Sequence, residues 1–369
     1  MLAGHRRGGQ APATQEAHMT GRGNRAGADG DPGGVPAELW LRQPDAEVAF
    51  TPSHGFWCTL FRARVDDTWI KALGEPPSWQ ALTTRPTFFG NPLLFPYPLM
   101  IRGGAFTYRG RRYPVRAGSE GYAIHGFVRD HPWEVERVWD DDSGAHVRAS
   151  FDYSPAGDPE PQFPFPFRFS ATYSLTGTTL RLTVEASNTG ATPMPIGFGI
   201  HPYVPISLWP GGRVEDCVVT CDATHLAVYE NEFAAVRLEP VSDWRDLRAG
   251  QRVSDLLEQH RKSGATGASL VGLYARLVKQ APSFAGAPGG MSWSLADVAR
   301  GVVVRIETSD AFQTMVHYSP PTPTVVSPVL GTLMPNGFNL AAAGQPSGLI
   351  ELEPGQNWRA WTTIAVDRE

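Results

Sequence analysis

Three stretches of this chain set proton-moving or ligand-gripping side chains among small and aromatic neighbours: "LMIRGG" with Arg102, "GYAIHGFVRDHPWEV" with His125, and "FGIHPYVPI" with His201. Imidazole titrates near neutrality and can give or take a proton at physiological pH, and a guanidinium offers a fixed fork of donors to oxygen ligands. Each residue also has an ordinary explanation. A buried histidine is satisfied by a carbonyl, and an arginine pairs with a surface carboxylate. Arg129 reads as a solvated loop charge. His317, in "TMVHYSP", is a third imidazole able to serve as a base, with a packed strand histidine as the alternative. Nothing in the spacing of His125, His201 and His317 calls for a metal ion.

These residues need a rigid frame, and the chain is long enough to provide one. It has 369 residues, 41% of them hydrophobic. The net charge of -5, with 19% charged residues, gives no basic field for nucleic acid or an anionic membrane, so the expected partner is a small molecule. Cys58, Cys217 and Cys221 form no disulfide framework and read as reduced packing residues. Residues 1–35, rich in Gly, Ala and Arg, read as a disordered tail. No secretory leader and no apolar run of about 18 residues is visible, which points to a soluble cytoplasmic protein.

From about residue 45 the pattern is short runs of period-two alternation between Gly, Pro and Asn turns. "FRFSATYSLTGTTLRLTVEASNTG" predicts a hairpin, with Phe169, Ala171 and Tyr173 facing inward on one arm and Leu180, Leu182 and Val184 on the other. "YRGRRYPVR" reads as a second hairpin turn with solvated charges. Only "VSDWRDLRAGQRVSDLLEQHRKSG" carries a helical portion. The fold class is all-β, a large sandwich over residues 36–369 as a single domain.

The order of the motifs resembles the aldose 1-epimerases, or galactose mutarotases: an Arg-bearing turn before Gly and Phe, His-Gly-Phe, His-Pro-Tyr, and the closing "GFNL" and "LEPGQNW". The likeness covers about residues 45 to 366. It implies a galactose-mutarotase-like super-β-sandwich with a sugar cleft, Arg102 and His125 as ligands of sugar hydroxyls, and His201 as general acid. It implies neither metal nor organic cofactor. Trp133 and Tyr203 are of the type that stacks on a sugar face, and equally of the type that fills a core. Anomer exchange takes a proton from the C1 hydroxyl and delivers one to the ring oxygen. The ring opens, C1–C2 rotates, and reclosure presents the other face.

Two departures accompany the resemblance. Members carry a Glu base, usually followed by Pro, ahead of "GFNL"; counting back from Asn339 places Val329 there. Members also carry an Asp where this chain has Val271. Glu307, Glu351 and Glu353 are weak stand-ins for the base, and His317 is the stronger one. Two functions follow: an anomer-exchanging isomerase with an unorthodox base, or a carbohydrate-binding protein without turnover. If Val329 marks the lost base, Val329→Glu is expected to restore exchange. The charges of the motif regions favour a free sugar over a phosphorylated one.

Overall fold

The computed structural model describes residues 25–29, 38–84, 89–118, 121–158, 161, 163–230, 233–262, 269–275, 288–319 and 324–369, with only the backbone described for 25–29, 269–273 and 288. Alternation of large apolar with small or polar residues makes most of these segments strands with one buried face. Phe167–Thr176 pairs with Thr179–Asn188, setting Ala171 opposite Val184 and Tyr173 opposite Leu182 with all four buried, as the alternation predicts. The second hairpin joins Ala105–Tyr108 to Arg111–Pro114, and Arg109 and Gly110 at its turn both have positive φ. Val253–Lys262 is the helix expected in that region.

That first hairpin lies within an antiparallel sheet that runs, in spatial order, through Glu134–Asp141, Gly144–Tyr153, Phe167–Thr176, Thr179–Asn188, Asn357–Arg368, Val302–Ser309, Pro288–Asp297, Cys217–Cys221 and Gln251–Arg252. A second sheet runs through Ala235–Pro240, His225–Glu230, Ser269–Ala275, Thr314–Tyr318, Val325–Gly331, Gly199–Ile200 and Leu93–Leu94, with Val204–Pro205 also paired to Val325–Gly331. A third, N-terminal sheet extends from Arg25–Asp29 to Thr68–Lys71. The strand Arg25–Asp29 falls in the segment read as a tail, and pairs with Glu38–Gln43; residues 1–24 and 30–35 lie outside the described residues. One hydrophobic cluster runs from Leu39 to Val366. Within it Phe95 stacks on Phe169 with centroids 4.3 Å apart, locking the turn beside the functional motifs onto the larger sheet. All three cysteines are buried and unpaired. Among the described residues no helix is long and apolar enough to cross a membrane.

The parity of one strand decides the fate of His317. In Thr314–Tyr318, paired with Val325–Gly331, Val316 opposes Val329 and Tyr318 opposes Ser327, while His317 opposes Pro328. Successive side chains alternate faces. Val316, Tyr318 and Val329 therefore gather with Leu94 and Leu99 on one face. His317 turns to the other, where its ring meets Trp293 of the larger sheet at 6.4 Å. Neither ring nitrogen of His317 has a hydrogen-bond partner there. The imidazole expected as a base is thus sealed in the core, and burial lowers its pKa to about 4.

This burial has a defined pH signature. In the unfolded chain His317 titrates near 6.5, so between about pH 6.5 and 4 the unfolded state holds a proton that the folded state refuses. The stability present above pH 6.5 is lost as pH falls through that window, by up to about 3 kcal/mol. In urea unfolding at pH 7.5 and 4.5, His317→Leu is expected to lose less stability on acidification than the wild type. Equal losses in the two proteins would contradict this account.

Candidate active site

His125 follows the short strand Tyr122–Ile124, whose partner is Met100–Arg102 with Arg102 opposite Tyr122. Arg102 thus lies at the end of this ladder away from His125, which adjoins the Met100 end. The turn after the strand is left-handed at both His125 (φ 68) and Gly126 (φ 62). A Cβ at Gly126 would overlap the Phe95 carbonyl oxygen, so only glycine fits between the two segments. This approach aims the His125 ring inward. Its Nδ1 lies 2.7 Å from the Pro98 carbonyl oxygen, which can only accept, so in the neutral ring Nδ1 carries the hydrogen.

His201 follows Gly199–Ile200, the short strand wedged between Leu93–Leu94 and Val325–Gly331. Its backbone N–H donates to Asn91 Oδ1 at 3.1 Å, fixing the start of the His-Pro-Tyr turn. The ring is held at both nitrogens: Nδ1 is 2.7 Å from Ser327 Oγ, and Nε2 is 3.0 Å from the Tyr203 hydroxyl. Tyr203 stacks against it with centroids 4.4 Å apart, and Tyr318 meets both rings edge-on. The His125 ring stands 5.4 Å from that of His201 in a T-shaped arrangement. Two of the three histidines singled out in the sequence therefore converge, and His317 does not join them.

Burial sets the charge state of the pair. Desolvation, reinforced by the Arg129 guanidinium, lowers the His125 pKa to about 3. Desolvation also drives His201 well below its usual range, with His125 and Arg129 acting in the same direction. At neutral pH both rings are overwhelmingly uncharged. Arg129 is accordingly no solvated loop charge: its side chain is 13% exposed and ion-paired to Asp130 at 3.3 Å. Its carbonyl accepts from Trp57 Nε1 at 3.1 Å, and Gly55 packs so closely on that carbonyl that a Cβ could not enter. Arg129 also lines a cavity of about 400 Å³ with Tyr97, Tyr122, Ile124, Gly126 and Asp130. The wall of that cavity is built from neighbours of His125 rather than from the two imidazoles themselves.

Other expectations resolve differently. Trp133 is a core residue: its Nε1 donates to the Val128 carbonyl at 3.0 Å, and its ring packs on Phe56, Phe151 and Phe169. A ring so enclosed has no face left for a sugar. Tyr203 is buried and spends its face on His201. Arg102 is half-buried, and its backbone N–H donates to Asn336 Oδ1 at 3.2 Å. Asn339 ties Asn336 to the Ala105–Tyr108 strand, which gives the "NGFNL" asparagines a structural task. Glu307 is exposed on the larger sheet, Glu351 is bound by Tyr108 and Arg109, and Glu353 pairs with Arg109. None of these carboxylates can act on His201. The side chain of Val271 lies outside the described residues.

Ser327 was not singled out in the sequence. It shares a face with Val329 two positions on, and its hydroxyl, not Val329, touches His201.

The antiparallel sandwich is the fold of the galactose mutarotases, as solved structures show. A galactose mutarotase-like protein from Clostridium acetobutylicum superposes with a TM-score of 0.76 at 16% identity, over 94% of this chain and 99% of that one. Galactose 1-epimerase from Lactobacillus acidophilus gives 0.69 at 14% identity, over 94% and 99%. Residues 65–365 match the model of the aldose 1-epimerase family, and the chain belongs to it. Curated relatives are matched over shorter stretches: YihR of Escherichia coli K12 at 29% identity over 119 residues, 31% of this chain and 36% of YihR, and YphB at 28% over 127 residues, 33% and 38%. The chain spans just over a third of the length of those relatives.

Two outcomes follow from the site as built. Arg129→Met removes a cation that opposes protonation of both rings, so the His125 and His201 pKa values should rise; a histidine NMR titration reads this, and unmoved values would exclude the electrostatic role. Val329→Glu puts a carboxylate among Leu94, Leu99 and Val316. It should lower stability in urea by more than about 2 kcal/mol without increasing anomer exchange.

Proposed function

We propose that this protein is an anomer-exchanging isomerase that opens and recloses a free aldose, with His201 as the acid that serves the ring oxygen. The observation that carries the reading is the hydrogen-bonded sequence Ser327, His201, Tyr203, set 5.4 Å from a second imidazole. Both His201 nitrogens are engaged, so its proton leaves by way of a neighbour. The Tyr203 hydroxyl accepts Nε2–H while passing its own hydrogen to the ring oxygen, and Ser327 steadies Nδ1 through the change. Arg102 and His125 hold sugar hydroxyls.

The charges nearby favour a neutral ligand. Arg129 is paired with Asp130 and Arg109 with Glu351, which tempers the pull of these two cations on a phosphate. Three buried thiols suit a reducing compartment, and we place the enzyme in the cytoplasm.

Because burial makes the His201 imidazolium scarce, catalysed exchange should grow as pH falls from 8 to 6, before the core histidines weaken the fold. Exchange of α- and β-anomers of D-glucose and D-galactose, followed by NMR with the spontaneous rate subtracted, checks this. His201→Ala and Tyr203→Phe should each reduce kcat by about 10²-fold or more, with smaller changes in KM. Sugar binding by the wild type with no catalysed exchange would instead leave a carbohydrate-binding protein.

A further inference from the structure

With Val329 in an apolar cluster, Glu307 exposed on the larger sheet, Glu351 and Glu353 paired with Arg109, and Asp130 paired with Arg129, the C1 hydroxyl needs a different proton acceptor. We propose that His125, rather than any carboxylate, is the general base of this site, its Nε2 lone pair taking the proton from the anomeric hydroxyl. This rests on the anomer-exchange reading above and assigns its missing half.

The argument begins with the Pro98 carbonyl. A carbonyl oxygen accepts and never donates, so the 2.7 Å contact puts the hydrogen of neutral His125 on Nδ1 and leaves Nε2 as the unprotonated, acceptor nitrogen. Among the described residues, no group hydrogen-bonds Nε2. The contrast with His317 is direct: both nitrogens of His317 are sealed polar atoms without a partner, whereas Nε2 of His125 is not among the sealed ones. The backbone holds the ring in that attitude through the left-handed pair His125 and Gly126 and the Phe127 N–H bond to the Phe95 carbonyl at 3.0 Å. The tautomer and the aim of the ring are thus both fixed before any ligand arrives.

Proton and electron balance closes with the His201 role. The C1 hydroxyl gives its proton to His125 Nε2, and the O1 electron pair forms the C1=O1 carbonyl. The C1–O5 bond breaks with its pair on O5, and O5 takes the proton relayed from the His201 imidazolium through the Tyr203 hydroxyl. One positive charge has moved from His201 to His125. Rotation about C1–C2 and reclosure run the same transfers backward on the other face, returning the charge to His201. The pair carries a single extra proton throughout, and Arg129 beside both rings opposes a second.

His125→Asn tests this, because its amide can still donate to the Pro98 carbonyl while no basic nitrogen remains at the Nε2 position. On D-glucose and D-galactose, kcat for anomer exchange should fall about 10²- to 10⁴-fold with KM within about threefold of the wild type, and added imidazole should restore part of it. In parallel, long-range ¹H–¹⁵N correlation of the wild type should show His125 protonated at Nδ1 and bare at Nε2, a measurement that stands even if the variant does not fold. Exchange by His125→Asn within threefold of wild-type kcat, or an Nε2 found protonated, overturns the base assignment and leaves the isomerase reading in place. A wild type that accelerates exchange of neither sugar overturns the isomerase reading itself, and this assignment with it.

Discussion

Everything at this site depends on removing two imidazoles from water beside a guanidinium. A desolvated ring strongly disfavours its charged form, and Arg129 adds repulsion, so His125 and His201 rest neutral. Neutral rings must be told which nitrogen holds the hydrogen. For His125 the Pro98 carbonyl decides; for His201 the Ser327 and Tyr203 hydroxyls leave both tautomers open, since each hydroxyl can give or accept. One ring is locked and the other can switch. This asymmetry distinguishes an acceptor from a relay, and it comes from backbone and hydroxyl partners rather than from charge.

The sandwich is what makes those partners available. Gly199–Ile200 sits between Leu93–Leu94 and Val325–Gly331, and Val204–Pro205 resumes the pairing with the latter, so His201 emerges over that strand with its ring reaching the Ser327 hydroxyl; the Phe95 bridge to Gly126 brings His125 to the same place from a different part of the chain. Each approach requires a glycine where two backbones nearly touch. Phe95 in turn stacks on Phe169, so the larger sheet supports a turn with which it shares no strand pairing. Burying a ring of that size contributes about 2 to 3 kcal/mol, which is ample to hold two left-handed residues in place.

The legible parts of the sequence were those governed by local periodicity or by compact motifs. The hairpin Phe167–Asn188 could be read because alternation of period two is a property of each strand alone. The family could be read because the motifs around Arg102, His125 and His201 are short and ordered. His317 was misread for want of parity: its strand reads the same whichever face lies inward, and only pairing with Val325–Gly331 settles that. Trp133 was misread because an aromatic beside a motif looks alike whether it lines a cleft or fills the core. Arg129 was passed over because a charge between two loop residues gives no sign of its burial, nor of the backbone anchoring by Trp57 and Gly55 over seventy residues earlier. Ser327 was passed over because its contact with His201 is made between two strands and leaves no mark in the sequence.

A carboxylate in place of the Ser327 hydroxyl would alter more than one residue. A glutamate in contact with His201 would favour its imidazolium and raise its pKa, giving a ready acid and a ready base together. A serine offers a hydrogen bond of similar length with no charge, so the ring reverts to the state that burial dictates. The base function then falls to a group able to accept without a nearby anion, and an imidazole locked in its Nδ1–H form meets that condition. Its low pKa is no bar, because a carboxylate base is itself weak, with an ordinary pKa of about 4.3. What the arrangement gives up is acid strength on demand at neutral pH; what it gains is a site with no buried anion to desolvate when a neutral sugar enters.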